Sequence, residues 1–151
     1  MIDPDLLRAY QTSQFVVWTP EGEIVLRVGE RNPRLDELMM EFGALSSAFT
    51  TAWNPGSVKL SIEENQTRQT ALKEEVRKAG YLSFCGEGVG QDEAWPPEAS
   101  VLILGISRED AQQLGAEFGQ LAIVFVEFER IVELVFCANQ DNESQRTRFR
   151  C

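Results

Sequence analysis

The chain has 151 residues, 43% of them hydrophobic, with 24 acidic against 14 basic side chains and a formal charge of -10. That length suits one compact domain that buries its apolar surface without disulfides, and the acidic excess repels phosphate backbones, so nucleic-acid binding is disfavoured unless the few arginines gather on one face. Histidine is absent, which removes the commonest general base, the commonest metal ligand and every Ser-His or Cys-His dyad.

The opening MIDPDLLRAY has no basic flank followed by an apolar run, and no later stretch approaches the roughly 18 uninterrupted apolar residues of a membrane span. A cytoplasmic protein that does not enter membranes is expected. Residues 3 to 11 read as a short helix, and FVVWT and EIVLRV, separated by a Pro and Gly turn, read as a hairpin. Asn32 can cap a second helix and Pro33 fits its first position. Leu35, Leu38, Met39 and Phe42 recur at helical spacing, and Gly43 can close the end.

LSSAFTTAW, residues 45 to 53, is too short for a helix between Gly43 and Pro55 and reads as a central strand. A longer helix is expected from Ser61 to Ala79, ended by Gly80, with Ser61 and Glu64 forming a capping box and Glu64/Arg68 and Glu74/Lys78 paired at i,i+4. YLSFCGEGV reads as a strand and GQDEAWPPEA as a loop. The nearly continuous apolar run SVLILGI reads as a strand at the sheet centre. Ser107 and Asp110 repeat the capping pattern before a helix with Ala111, Leu114 and Phe118 on one face, and LAIVFVEF and IVELVFC supply two further strands. The order αββαβαββαββ predicts an α+β (or α/β) domain over residues 1–137, a mixed sheet packed with helices, followed by a polar tail at 138–151 with little order.

Cys85, Cys137 and Cys151 are odd in number and scattered. They fit neither a disulfide framework nor a metal knuckle, so free thiols and no metal site are expected. With its cysteine in the last position, the terminal RFRC cannot be a prenylation signal. CGEGVG looks superficially like a phosphate cradle, but QDEAWPPE follows it where a helix N-terminus would be needed.

One stretch breaks the ordinary pattern. In the Ser61 helix, Ile62, Leu72, Val76 and Ala79 share one side of the wheel, and Asn65 and Gln69 fall within that same side with Arg68 at its margin. Inward amides need partners. Either they tie down the turn around Asn54, with Trp53 as ordinary core, or they meet a ligand. The rigid AWPPEAS segment, with Trp95 and Glu98 beside two prolines, is more than a connection requires.

TAWNP, LSIEEN, WPPEAS, LGIS and FGQLAIVF, in that order, resemble the bacterial domain-of-unknown-function family 3293 over roughly residues 10 to 136. The resemblance implies a small cytosolic bacterial domain and brings no activity, cofactor or catalytic residue with it. Trp53, Asn54, Glu64, Asn65, Trp95, Glu98 and Gln120 are the polar or aromatic positions in the matching blocks. Leu121 stands where the family pattern often has Asn, which weakens any side-chain role there.

Three functions compete. The first is a cleft formed by Trp53, Asn54, Glu64, Asn65, Arg68, Gln69, Trp95, Glu98 and Gln120 that takes a small planar or anionic ligand. The second is an enzyme with Glu64 or Glu98 as general base and Arg68 stabilising developing negative charge. The third is an interaction module whose acidic surface and strand edges recruit a basic partner or a second copy of the chain as a homo-oligomer.

Overall fold

The computed structural model describes residues 3–91 and 95–137. The expected polar tail, the Cys151 thiol and part of the loop before Trp95 lie outside the described residues. Local signals account for each helix. Helix α1, Pro4–Thr12, starts where the Asp3 side chain accepts the Asp5 N-H. Helix α2, Pro33–Glu41, is capped by Asn32, whose Oδ1 accepts the Leu35 N-H at 3.0 Å while its Nδ2 donates to the Val25 carbonyl at 2.8 Å. Helix α3, Ile62–Lys78, has the full capping box: Ser61 Oγ accepts the Glu64 N-H and Glu64 Oε1 accepts the Ser61 N-H, both at 3.1 Å. Helix α4, Arg108–Glu117, starts where Ser107 Oγ accepts the Asp110 N-H.

Strands β1 (Gln14–Thr19), β2 (Gly22–Leu26), β3 (Ser46–Thr50), β4 (Leu82–Val89), β5 (Glu98–Leu104), β6 (Ala122–Glu127) and β7 (Glu133–Phe136) complete the expected element order. They form one sheet, β2-β1-β4-β5-β3-β6-β7, with β5 at its centre, where SVLILGI belongs. Every pairing is antiparallel, which narrows the expected mixed sheet to its antiparallel form in an α+β domain. Three consecutive pairs, β1-β2, β4-β5 and β6-β7, are hairpins; β3 is drawn from the middle of the chain into the gap between β5 and β6.

The sheet is covered on both faces. On one, Leu35, Leu38 and Met39 of α2 pack against Val17, Leu26, Leu102 and Val126, with the Phe15 and Phe49 rings edge to face at 5.4 Å. On the other, Leu72 and Val76 of α3 and Ala111 of α4 cover Ile103, Ile123 and Phe125. Each such aliphatic side chain, fully removed from water, contributes about 1.5–3 kcal/mol. Gly115 lets α4 approach closely, because a Cβ there would lie 2.5 Å from Cys137 Sγ. No described helix is long and apolar enough to cross a membrane.

Several local expectations are corrected. The strand expected over 45–53 stops at Thr50, since the chain turns away at Thr51, and Trp53 is therefore half-buried rather than a core strand residue. Ile62 is 65% exposed and Ala79 is also exposed, because the inward face of α3 is narrower than the wheel suggests: Asn65, Gln69, Leu72 and Val76 alone are buried. Glu64 serves the cap instead of pairing with Arg68, and Glu74 pairs with Arg77 at 2.6 Å rather than with Lys78. Phe42 is half-exposed at the end of α2, with its ring 6.0 Å from that of Phe84. The CGEGVG run lies mostly in β4, where Gly86 is needed because a Cβ there would collide with the Val16 carbonyl of β1.

Candidate functional site

Alternation along the strands brings Phe15, Gly88 and Glu98 into one cross-strand row, and Phe49, Val124 and Leu134 into another on the same face. Gly88 leaves a hollow in this surface, since a Cβ there would meet only Phe15 Cδ1, at 3.9 Å. Helix α1 stands opposite, with Leu6 and Tyr10 half-buried and none of its residues fully buried. Between helix and sheet lies a cleft of about 500 Å³, with Leu6 and Tyr10 of α1 on one side and Phe15, Phe49 and Val124 on the other. Its polar end is lined by Asn54, Trp95, Glu98 and Gln120.

The turn that carries Asn54 is built to hold it. Asn54 has left-handed backbone angles, φ 47 and ψ 63, which Asn tolerates better than most residues, and Gly56 follows at φ 63. Two buried amides grip this turn. Asn65 Oδ1 accepts the Asn54 N-H at 2.8 Å and Asn65 Nδ2 donates to Asn54 Oδ1 at 2.9 Å, while Gln69 Oε1 accepts the Ala52 N-H at 3.0 Å. Asn54 Oδ1 also accepts the Leu60 N-H at 2.9 Å. With its oxygen engaged twice, the Asn54 amide turns its NH2 to Glu98, donating to Oε2 at 2.8 Å.

Arg68 ties the same turn to the end of α4. Its Nε donates to the Ala52 carbonyl at 2.7 Å and its Nη2 to the Phe118 carbonyl. The Gly56 N-H donates to the Gly119 carbonyl at 2.7 Å, and Gln120 Nε2 donates to the Trp53 carbonyl at 3.1 Å. Gly119 has φ +76, and a Cβ on it would lie 2.6 Å from Pro55 Cβ, so only glycine fits there.

Glu98 is the hub on the cleft side. Its Oε2 accepts from Asn54 Nδ2 and from Trp95 Nε1, both at 2.8 Å. Lys59 Nζ sits 5.4 Å from the centre of the Trp95 ring. Burial, then the neighbouring Cys137 and Glu98, raise the Tyr10 phenol to about 12, so it stays a neutral hydroxyl over the ordinary pH range. Thr50 borders the cleft from β3, but alternation along the strand turns its side chain to the opposite face, with Ala48 and Val101.

The nine residues singled out from sequence thus divide. Asn54, Trp95, Glu98 and Gln120 line the cleft. Asn65, Gln69 and Arg68 stand behind it and brace the 52–57 turn through backbone bonds, Glu64 caps α3, and Trp53 lies beside the turn with its Nε1 buried and unpartnered among the described residues. The expected convergence of Arg68 with Glu98 on one ligand does not occur, because both guanidinium contacts are to carbonyls. Nor is the N-terminal end of α3 open, as Ser61 and Glu64 fill its cap. Tyr10 was not singled out: a tyrosine in a short amphipathic helix carries no signal of a cleft. Among the described residues no three acidic or cysteine side chains group as metal ligands, and Cys85 and Cys137 are free thiols, one exposed and one buried.

Residues 50–123 match the family model described as "Protein of unknown function (DUF3293)". The matched region holds the braced turn, α3, Trp95, Glu98 and Gln120, whereas Tyr10 and α1 precede it. No curated protein and no solved structure matches the chain.

Proposed function

With residues 50–123 matching the DUF3293 family model, we propose that the domain binds a small molecule with an apolar, flat body in the cleft between α1 and the sheet. One observation carries this reading: a cleft of about 500 Å³ walled by Phe15, Phe49 and Val124 ends on a fixed cluster of Asn54, Glu98 and Trp95. Ligand sites are typically concave, mostly apolar and about 300–1,000 Å³, with a few placed polar groups. Asn65, Gln69 and Arg68 stiffen the turn behind that cluster, which lowers the ordering cost of binding. The enzymatic alternative loses support, since Glu64 is spent on the helix cap and Arg68 on backbone carbonyls.

The test uses Gly88→Leu, which adds a side chain where the backbone leaves room. A panel of small aromatic and heterocyclic compounds is screened by thermal shift. Compounds that raise the wild-type melting temperature should have no effect on Gly88→Leu, because stabilisation follows occupancy of the native site. A panel that shifts both proteins equally would place binding elsewhere and refute the reading.

A further inference from the structure

We infer that the ligand of this cleft presents a cationic, hydrogen-bond-donating head to Glu98, making it an amine or amidine on an apolar body. The inference rests on the small-molecule reading above and adds the sign of the head group. Glu98 Oε2 is taken up by Asn54 and Trp95, but its second oxygen, Oε1, accepts no hydrogen bond from any described residue. A carboxylate offers only lone pairs, so whatever meets Oε1 has to donate.

The rest of the polar end agrees. Tyr10 lines the same cleft, its hydroxyl makes no hydrogen bond among the described residues, and that oxygen can accept.

The basic groups nearby are committed elsewhere. Arg8, at the cleft's α1 wall, bonds Asp5 at 3.1 Å in a pair whose charges cancel. Arg68 is held by two carbonyls, and Lys59 lies over the Trp95 ring and does not line the cleft. That leaves Glu98 as the one uncompensated charge among the described lining residues. A carboxylate-headed ligand would bury like charges side by side, whereas an ammonium forms a charge-assisted bond in a partly desolvated place. The formal charge of -10 over the chain adds a long-range attraction of the same sign.

The probes are 2-phenylethylamine, 2-phenylethanol and 3-phenylpropionate, one aromatic body with three heads, titrated by calorimetry into wild type, Glu98→Gln and Gly88→Leu. The amine should bind wild type about tenfold or more tighter than the carboxylate, with the alcohol between, the scale of one charge-assisted hydrogen bond. Glu98→Gln keeps an oxygen for Asn54 and Trp95, and it should bring the three heads to within about threefold of one another, since the charged partner is gone. The wild-type ranking is decisive by itself if that variant does not fold. Equal affinities, or a preference for the carboxylate, with all binding lost in Gly88→Leu, would overturn the cationic head and leave the cleft reading standing. No binding of any probe to wild type would overturn both.

Discussion

Replacing Asn65 by Ala tests whether the braced turn is a structural device. Asn65 is 1% exposed and exchanges two hydrogen bonds with Asn54, accepting its N-H at 2.8 Å and donating to its Oδ1 at 2.9 Å. Alanine leaves the buried Asn54 N-H with no partner, at about 1–3 kcal/mol, and removes a second bond worth about 1 kcal/mol. Asn54 Oδ1 keeps the Leu60 N-H, so it is not orphaned. Alanine's better helix propensity returns about 0.6 kcal/mol. The net loss is about 2 kcal/mol, or roughly 1 M in the urea midpoint for a slope near 2 kcal/mol/M. The control is Gln66→Ala, an exposed site one residue along the same helix, which should stay within about 0.5 kcal/mol. Urea unfolding followed by tryptophan fluorescence measures both. If the two variants share one midpoint, the Asn54-Asn65 pair contributes nothing and the account of the turn is wrong.

Two further outcomes follow from packing and titration. Gly115→Ala should destabilise the domain by about 1–3 kcal/mol in the same assay, because its Cβ would meet Cys137 Sγ at 2.5 Å and Ile123 Cγ2 at 2.7 Å. Cys137→Ala should recover part of that loss, and purely additive effects would show that the two sites do not touch. Burial holds the Cys137 thiol up at about 12 against an ordinary 9.0, and the Tyr10 phenol at about 12 against 10.0. The unfolded chain therefore gives up these protons first, so stability present below pH 9 declines as pH rises toward 12. Cys137→Ala with Tyr10→Phe should flatten that decline between pH 8 and about 10.5; superimposable slopes for variant and wild type would contradict the assignment.

What could be read in the sequence was what neighbouring residues decide. Asn32 before Pro33, Ser61 with Glu64, and Ser107 with Asp110 announced their helix starts because a cap is a bond between residues two or three positions apart. The hairpins were visible for the same reason. The order of the sheet was not, since the insertion of β3 between β5 and β6 depends on which faces of distant strands match. The same division runs through the site. Periodicity showed that Asn65 and Gln69 face inward, but an inward amide reads the same whether its partner is a ligand or a backbone N-H. Both turned out to bind backbone. Trp95 and Glu98 stood out through the stiff prolines between them, Gln120 through the family resemblance alone.

The central placement of β3 also sets the pace of folding. Its residues pair with partners roughly fifty to eighty positions further along the chain, so the loop-closure entropy is lost before any of these contacts is gained. The hairpins can form early from local contacts, yet the turn after β3 meets Glu98 and Gln120 only once the last strands have arrived. On a growing nascent chain the cleft is consequently among the final features to exist, and its occupancy would report that folding is complete.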